Sequence, residues 1–83
     1  MLNSPMTVRD FKDHLLKRIG AQDHLTFTMM NQQCCDFWDD LNKITTERFP
    51  KERYADVPDI DAEVLLTSTE WTMLDKRLSE LIY

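Results

Sequence analysis

The sequence predicts an all-α fold, a compact bundle of three main helices at about residues 7–19, 26–48 and 67–82. A threonine between apolar residues occurs at the start of each range, where it can cap a helix. Apolar residues then recur three and four positions apart, the period of an amphipathic helix. One glycine and three prolines leave few positions for tight hairpin turns, and the sequence predicts no pair of strands.

The first predicted helix has a clear start and a clear end. The Thr7 hydroxyl can accept a hydrogen bond from a backbone amide of the first turn, and Gly20 suits a left-handed C-cap. The predicted core stripe consists of Val8, Phe11, Leu15, Leu16 and Ile19. Residues 1–5 precede this helix and are expected to form a flexible leader to a single domain over 6–83.

The second predicted helix is the longest. Thr26 is its predicted N-cap, and Pro50 follows its predicted end at Arg48, since proline cannot continue a helix. Its predicted core stripe consists of Met30, Cys34, Phe37, Leu41 and Ile44.

The third predicted helix begins with a capping box. Thr67 is the predicted N-cap, and Glu70 lies where its carboxylate can return a hydrogen bond to the Thr67 amide. The connection over 50–65 is irregular, and residues 61–65 are compatible with a short fourth helix.

Residues 59–70 have carboxylates at several positions of an EF-hand calcium loop. However, Val64 occupies the sixth position, where the sharp turn of such a loop requires glycine. The helix start at Thr67 and Glu70 explains the end of the match without a metal. The sequence therefore predicts neither a metal site nor a cofactor, and a calcium-binding protein with a degenerate loop is kept as an alternative.

Catalytic chemistry has little support. Cys34 and Cys35 are adjacent, and the two histidines lie at His14 and His24 without metal-ligand spacing. A single glycine cannot build a phosphate-binding loop. We therefore expect no catalytic residue and no enzyme. Unpaired cysteines and the lack of a long apolar run predict a cytoplasmic protein without membrane contact.

The net charge of −5 is concentrated in one part of the chain, because residues 36–83 contain twelve acidic and six basic side chains. This charge opposes direct binding to nucleic acid and favours a basic protein partner. The carboxylates predicted to form the acidic docking face are Asp36, Asp39, Asp40, Asp56, Asp59, Asp61 and Glu63. The first functional hypothesis is an inhibitor or regulator of a larger basic, nucleic-acid-handling protein, by analogy with small phage and plasmid inhibitors whose carboxylates replace phosphates.

The second hypothesis concerns an uncharged flank of the second predicted helix, beside its core stripe. The residues assigned to this flank are Phe27, Asn31, Cys35, Trp38 and Asn42. A helix exposed to solvent on both flanks normally carries charge on both. Either this helix packs between the other two, or the flank binds a partner, including a second copy in a homodimer.

Overall fold

The computed structural model describes residues 4–49 and 59–82. These residues form α1 (Val8–Ile19), α2 (His24–Thr28), α3 (Gln32–Arg48) and α4 (Ser68–Ile82). They also form two short strands, β1 (Met6–Thr7) and β2 (Leu65–Leu66), and a 3₁₀ turn over Ile60–Ala62. The all-α prediction is confirmed: within the described residues, α1, α3 and α4 are the main helices and α2 is a short fourth.

The helices α1 and α4 both begin at their predicted N-caps, Thr7 and Thr67. The Asp10 amide donates to the Thr7 hydroxyl at 3.1 Å, and Gly20 ends α1 with a φ of 75°. At the start of α4, the Thr67 amide donates to the Glu70 carboxylate at 2.9 Å, and the Glu70 amide donates to the Thr67 hydroxyl at 3.2 Å. The predicted capping box is therefore present in both directions.

The predicted helix over 26–48 is instead two helices, and its predicted start at Thr26 is wrong. Asp23 is the N-cap of α2, because its carboxylate accepts from both the amide and the hydroxyl of Thr26, each at 2.9 Å. α2 ends at Thr28, and α3 starts anew where the Asn31 side chain accepts from the Cys34 amide at 2.8 Å. Asn31 is therefore the N-cap of α3, whereas the sequence pattern placed it on the uncharged flank of a continuous helix.

The expectation of no paired strands is also corrected. β1 and β2 pair antiparallel, with Met6 opposite Leu66 and Thr7 opposite Leu65. The Val8 amide extends the contact by donating to the Val64 carbonyl at 2.9 Å. This short pairing ties the segment before α1 to the segment before α4, so the two capped helix starts lie side by side.

The core lies between α1, α3 and α4, with one side chain from α2. Phe11 of α1 stacks on Phe37 of α3 with ring centroids 6.4 Å apart, and Phe27 of α2 meets Phe37 edge-on at 6.4 Å. The other fully buried apolar residues of the described chain are Val8, Leu15, Cys34, Leu41, Leu66 and Leu78. α3 contacts both α1, through Phe11 and Phe37, and α4, through the ion pair of Asp40 with Arg77.

The connection between α3 and α4 is described only from Asp59 onward. The 3₁₀ turn over Ile60–Ala62 overlaps the short helix expected at 61–65, and it is followed by the buried Val64 rather than by further helix. Residues 50–58 of this connection lie outside the described residues.

Candidate protein-binding surface

The carboxylates predicted to form one acidic face lie on different sides of the bundle. Asp40 faces α4 and pairs with Arg77 at 2.8 Å, whereas Asp59 and Asp61 face α1. Asp56 lies outside the described residues. The prediction of a single face is therefore corrected: these acids do not converge, since each group pairs with a different helix.

Asp61 belongs to a partly buried polar network. Lys12 of α1 is only 9% exposed, and its ammonium donates to Asp61 at 2.6 Å and to Asn42 at 2.7 Å. The Thr45 hydroxyl donates to the second oxygen of the Asp61 carboxylate at 3.1 Å. A buried ammonium requires such partners, because an unpaired charge in the interior is costly. Asp61 and Asn42 therefore satisfy Lys12, which explains both residues without a partner protein.

The uncharged flank of α3 is covered by α2. Phe27 has no exposed surface, so the structure assigns it to the core rather than to a binding surface. Trp38 is half-buried, because the His24 ring stacks on it at 5.6 Å and the Lys12 ammonium lies 4.9 Å from its ring centroid. Cys35 is also half-buried, and Asn31 is used as the N-cap. This flank is thus largely occupied within the chain itself.

Three predicted acidic residues keep no ion pair within the described part of the chain: Asp36, Asp39 and Glu63. Asp36 and Asp39 are exposed on the outward side of α3, where Asp36 accepts from Gln32 at 3.0 Å. Five carboxylates of the described residues pair with cations, and all described arginines take part in these pairs. No cation of the described residues therefore neutralises the negative charge of Asp36 and Asp39.

Sequence reasoning missed an apolar surface formed by α2 and the turn between α2 and α3. Leu25 is 59% exposed, Met29 83% and Met30 50%. Met30 was predicted to lie on the core stripe of a continuous helix, and the break at Asn31 removes that role. One signal was present: Met29 and Met30 are adjacent, so they cannot both face one buried stripe of a helix. We call Leu25, Met29, Met30, Asp36 and Asp39 the α2–α3 corner.

The oxygen atoms that a calcium loop over 59–70 would need are bound by other groups. Asp61 is held by Lys12, and the Glu70 carboxylate binds Arg48 and the Thr67 amide. The Arg48 hydrogen bond and the Thr67 amide lower the pKa of Glu70 to about 2. Val64, at the position of the required glycine, is buried and not in the left-handed conformation. In the described part of the chain, no cluster of three His, Cys, Asp or Glu is arranged to hold a metal ion.

The thiol of Cys34 is buried and both imidazoles make contacts within the fold. Cys34 is buried, and this burial raises the pKa of its thiol, which opposes formation of the reactive thiolate. His14 pairs with Asp75 of α4, and His24 stacks on Trp38. These positions keep the described histidines in contacts that stabilise helix packing.

Searches of protein-family models, curated proteins and solved structures find no match to this chain. None of the helices in the described residues has both the length and the apolar character to cross a membrane. The candidate functional site therefore rests on the α2–α3 corner and on the chemistry of its exposed side chains.

Proposed function

We propose that the chain is a non-enzymatic protein-binding module that docks on a basic protein through the α2–α3 corner. The observation that carries this proposal is the exposure of Leu25, Met29 and Met30, which are three of the five exposed large hydrophobic residues among those described. Their concentration within six consecutive residues is typical of an interaction surface, whereas isolated exposed hydrophobic residues are common on any protein.

The apolar part of the corner supplies contact energy. Burying a leucine or methionine side chain is worth about 1.5–3 kcal/mol, and unbranched methionines adapt to an irregular partner surface. α2 is only five residues long, and its cap and the buried Phe27 hold it against α3. Leu25 is thus presented on a short helix that is held against α3, and Met29 and Met30 lie in the turn that directly follows it.

The charged part of the corner selects a basic partner. Asp36 lies one helical turn after the start of α3 and Asp39 two turns after it, so both are close to Met30 along the chain. Neither is neutralised by a cation of the described residues, and together with the net charge of −5 they attract positive surfaces over a distance of about one Debye length, 8–10 Å. Proteins that handle nucleic acid have such surfaces, and carboxylates bound there would inhibit by replacing phosphates.

The test is an affinity purification from the source cells with the tagged chain, two corner variants and two matched control variants. Met29→Ser removes an apolar contact, and the double change of Asp36 and Asp39 to Asn removes two charges. Asp10 and Asp13 changed to Asn form the charge control, because they are also exposed, three residues apart on one helix and without an ion pair among the described residues. Leu65→Ser is the apolar control, because Leu65 is 57% exposed but lies on β2.

We expect a basic protein to be recovered at least tenfold less with either corner variant and at the wild-type level with both controls. Elution of the wild type should require about 0.2–0.5 M salt, because ion pairs at an exposed rim are screened. Equal loss of the partner in the Asp10/Asp13 control would show that only the overall charge matters. Unchanged recovery with Met29→Ser would reject the corner as the docking surface.

A further inference from the structure

A second apolar surface lies on the opposite flank of α3, facing α4. A groove of about 290 Å³ is lined there by Ile44, Glu70, Met73, Leu74 and Arg77. Met73 is 67% exposed at this groove, whereas Ile44 and Leu74 are half-buried against the core. The protruding Met73 side chain thus lies beside a groove lined by the apolar side chains of Ile44 and Leu74. This surface shares no residue with the α2–α3 corner.

The charges around this groove are balanced, in contrast to the rest of the molecule. At one end, Glu70 pairs with Arg48, and at the other, Arg77 pairs with Asp40. These four side chains sum to zero, although the whole chain has a net charge of −5. A strongly basic or acidic partner gains nothing from such a surface, whereas a second copy of the chain meets no excess of like charge there.

The order of residues along α4 is self-complementary. Glu70, Met73, Leu74 and Arg77 follow one another at three- and four-residue spacing, so they lie on one stripe of the helix. If two α4 helices run antiparallel with a two-fold axis between Met73 and Leu74, Glu70 of each copy lies opposite Arg77 of the other. The same operation places each Met73 beside the other copy's apolar groove, as a two-fold interface requires.

We propose that this groove is the interface of a homodimer in which the α4 helices of two copies pack antiparallel about that axis. The inference is independent of the proposed docking on a basic protein, because it concerns other residues on another flank. The contact is small, and it belongs to the class of weak, reversible interfaces.

The first experiment is sedimentation equilibrium of the full chain over a series of concentrations. The wild type is expected to approach the mass of a dimer as concentration rises. Met73→Asp places two carboxylates near each other at the two-fold axis, and it should raise the dimer dissociation constant at least tenfold. The matched control is Met29→Asp, which makes the same chemical change at the 83% exposed side chain of the α2–α3 corner and should dimerise like the wild type.

A second experiment identifies the axis directly. In a Cys35→Ser background, Met73→Cys should form an intermolecular disulfide under mild oxidation with a thiol oxidant, and Met29→Cys should not. Circular dichroism verifies that each variant is folded. A monomer at all concentrations, or equal crosslinking of the two cysteine variants, would overturn the proposed interface. Dimers that persist in Met73→Asp would equally overturn it, by placing self-association elsewhere.

Discussion

On one flank of α3, Trp38 is covered by His24 and by the ammonium of Lys12, whereas on the other flank Ile44 faces an open groove beside Met73. The Trp38 flank is uncharged, whereas Ile44 belongs to the predicted core stripe and the side of α3 beside it carries Asp40, which pairs with Arg77. The difference comes from α2, which folds back onto one flank and has no counterpart on the other.

The break between α2 and α3 makes this coverage possible. In a continuous helix, Phe27 would lie about 15 Å along the axis from Phe37, at 1.5 Å per residue. With the chain reversing at Met29 to Asn31, the two rings come within 6.4 Å, and Phe27 lies 5.9 Å from Trp38. An uncharged flank thus indicates that something covers it, and the covering element here is a neighbouring segment of the same chain.

The largest expected effect is on the covered flank. Phe27→Ala removes a fully buried ring between Phe37 and Trp38, and should lower the free energy of unfolding by about 3–4 kcal/mol. Urea denaturation measures the loss. In a Trp71→Phe background, Trp38 fluorescence should also shift to the red, because α2 no longer covers the indole.

Leu25→Ala is the matched control for that change, since Leu25 lies in the same short helix with 59% of its surface exposed. It should cost no more than about 0.5 kcal/mol. If both variants lost the same free energy of unfolding, Phe27 would not anchor α2, and the two flanks of α3 would not differ in this way.

The polar cover of Trp38 gives a smaller effect. Lys12→Met retains an apolar stem at the Trp38 ring but removes the donor to Asp61 and Asn42. We expect a loss of about 2 kcal/mol in thermal or urea unfolding, because a partly buried carboxylate is left without its cation. Lys17→Met, at an exposed position without an ion pair in the described residues, should be close to neutral. A neutral Lys12→Met would show that the network adds no stability.

The features that were predictable from sequence are encoded by adjacent residues. The Thr7 cap, the Gly20 C-cap and the Thr67 and Glu70 capping box all depend on atoms within four residues of each other. Such local hydrogen bonds form wherever the helix forms, so the patterns predicted α1 and α4 closely.

The ion pairs that were missed depend on distant residues, whereas the missed caps of α2 and α3 are local. Arg9, Lys12 and Arg77 neutralise predicted docking carboxylates that lie 50, 49 and 37 positions away, and no local pattern shows these pairs. Thr26 resembled the other two threonine caps, but Asp23 three residues earlier accepts its amide and hydroxyl. The exposed corner at Met29 and Met30 was missed because one continuous helix over 26–48 was predicted, and that helix would have buried Met30.

Asn31 is the residue by which the break can be tested. Asn31→Ala removes the acceptor for the Cys34 amide and favours helix through the break. The expected cost is about 1 kcal/mol, whereas Asn31→Asp keeps a capping oxygen and should cost a few tenths of that. Both are measured by urea denaturation with circular dichroism. Greater stability of Asn31→Ala would show that the reversal of α2 does not depend on this cap.

The smallest effect concerns Glu70, at the open flank. Its folded-state pKa of about 2 lies below the ordinary value of 4.5, so its ionised form stabilises the fold above pH 4.5 and this contribution is lost as pH falls from 4.5 through 2. The carboxylate is 34% exposed, so screening by solvent limits the contribution to about 0.5 kcal/mol. Unfolding curves of the wild type and Glu70→Gln should therefore differ at pH 6 and converge near pH 2.

Asp23 at the covered flank is the comparison for that pH dependence. Hydrogen bonds from the Thr26 amide and hydroxyl lower the pKa of Asp23, so the ionised form of Asp23 also stabilises the fold. Asp23→Asn, however, keeps a side-chain oxygen that can accept a hydrogen bond from the same amide. The difference between wild type and Asp23→Asn should hence depend less on pH than that for Glu70→Gln, which also loses the charge opposite Arg48. If the two variants followed the same pH curve, the Arg48 pair would add nothing to the cap, and the end of the groove would be held by hydrogen bonds to the backbone alone.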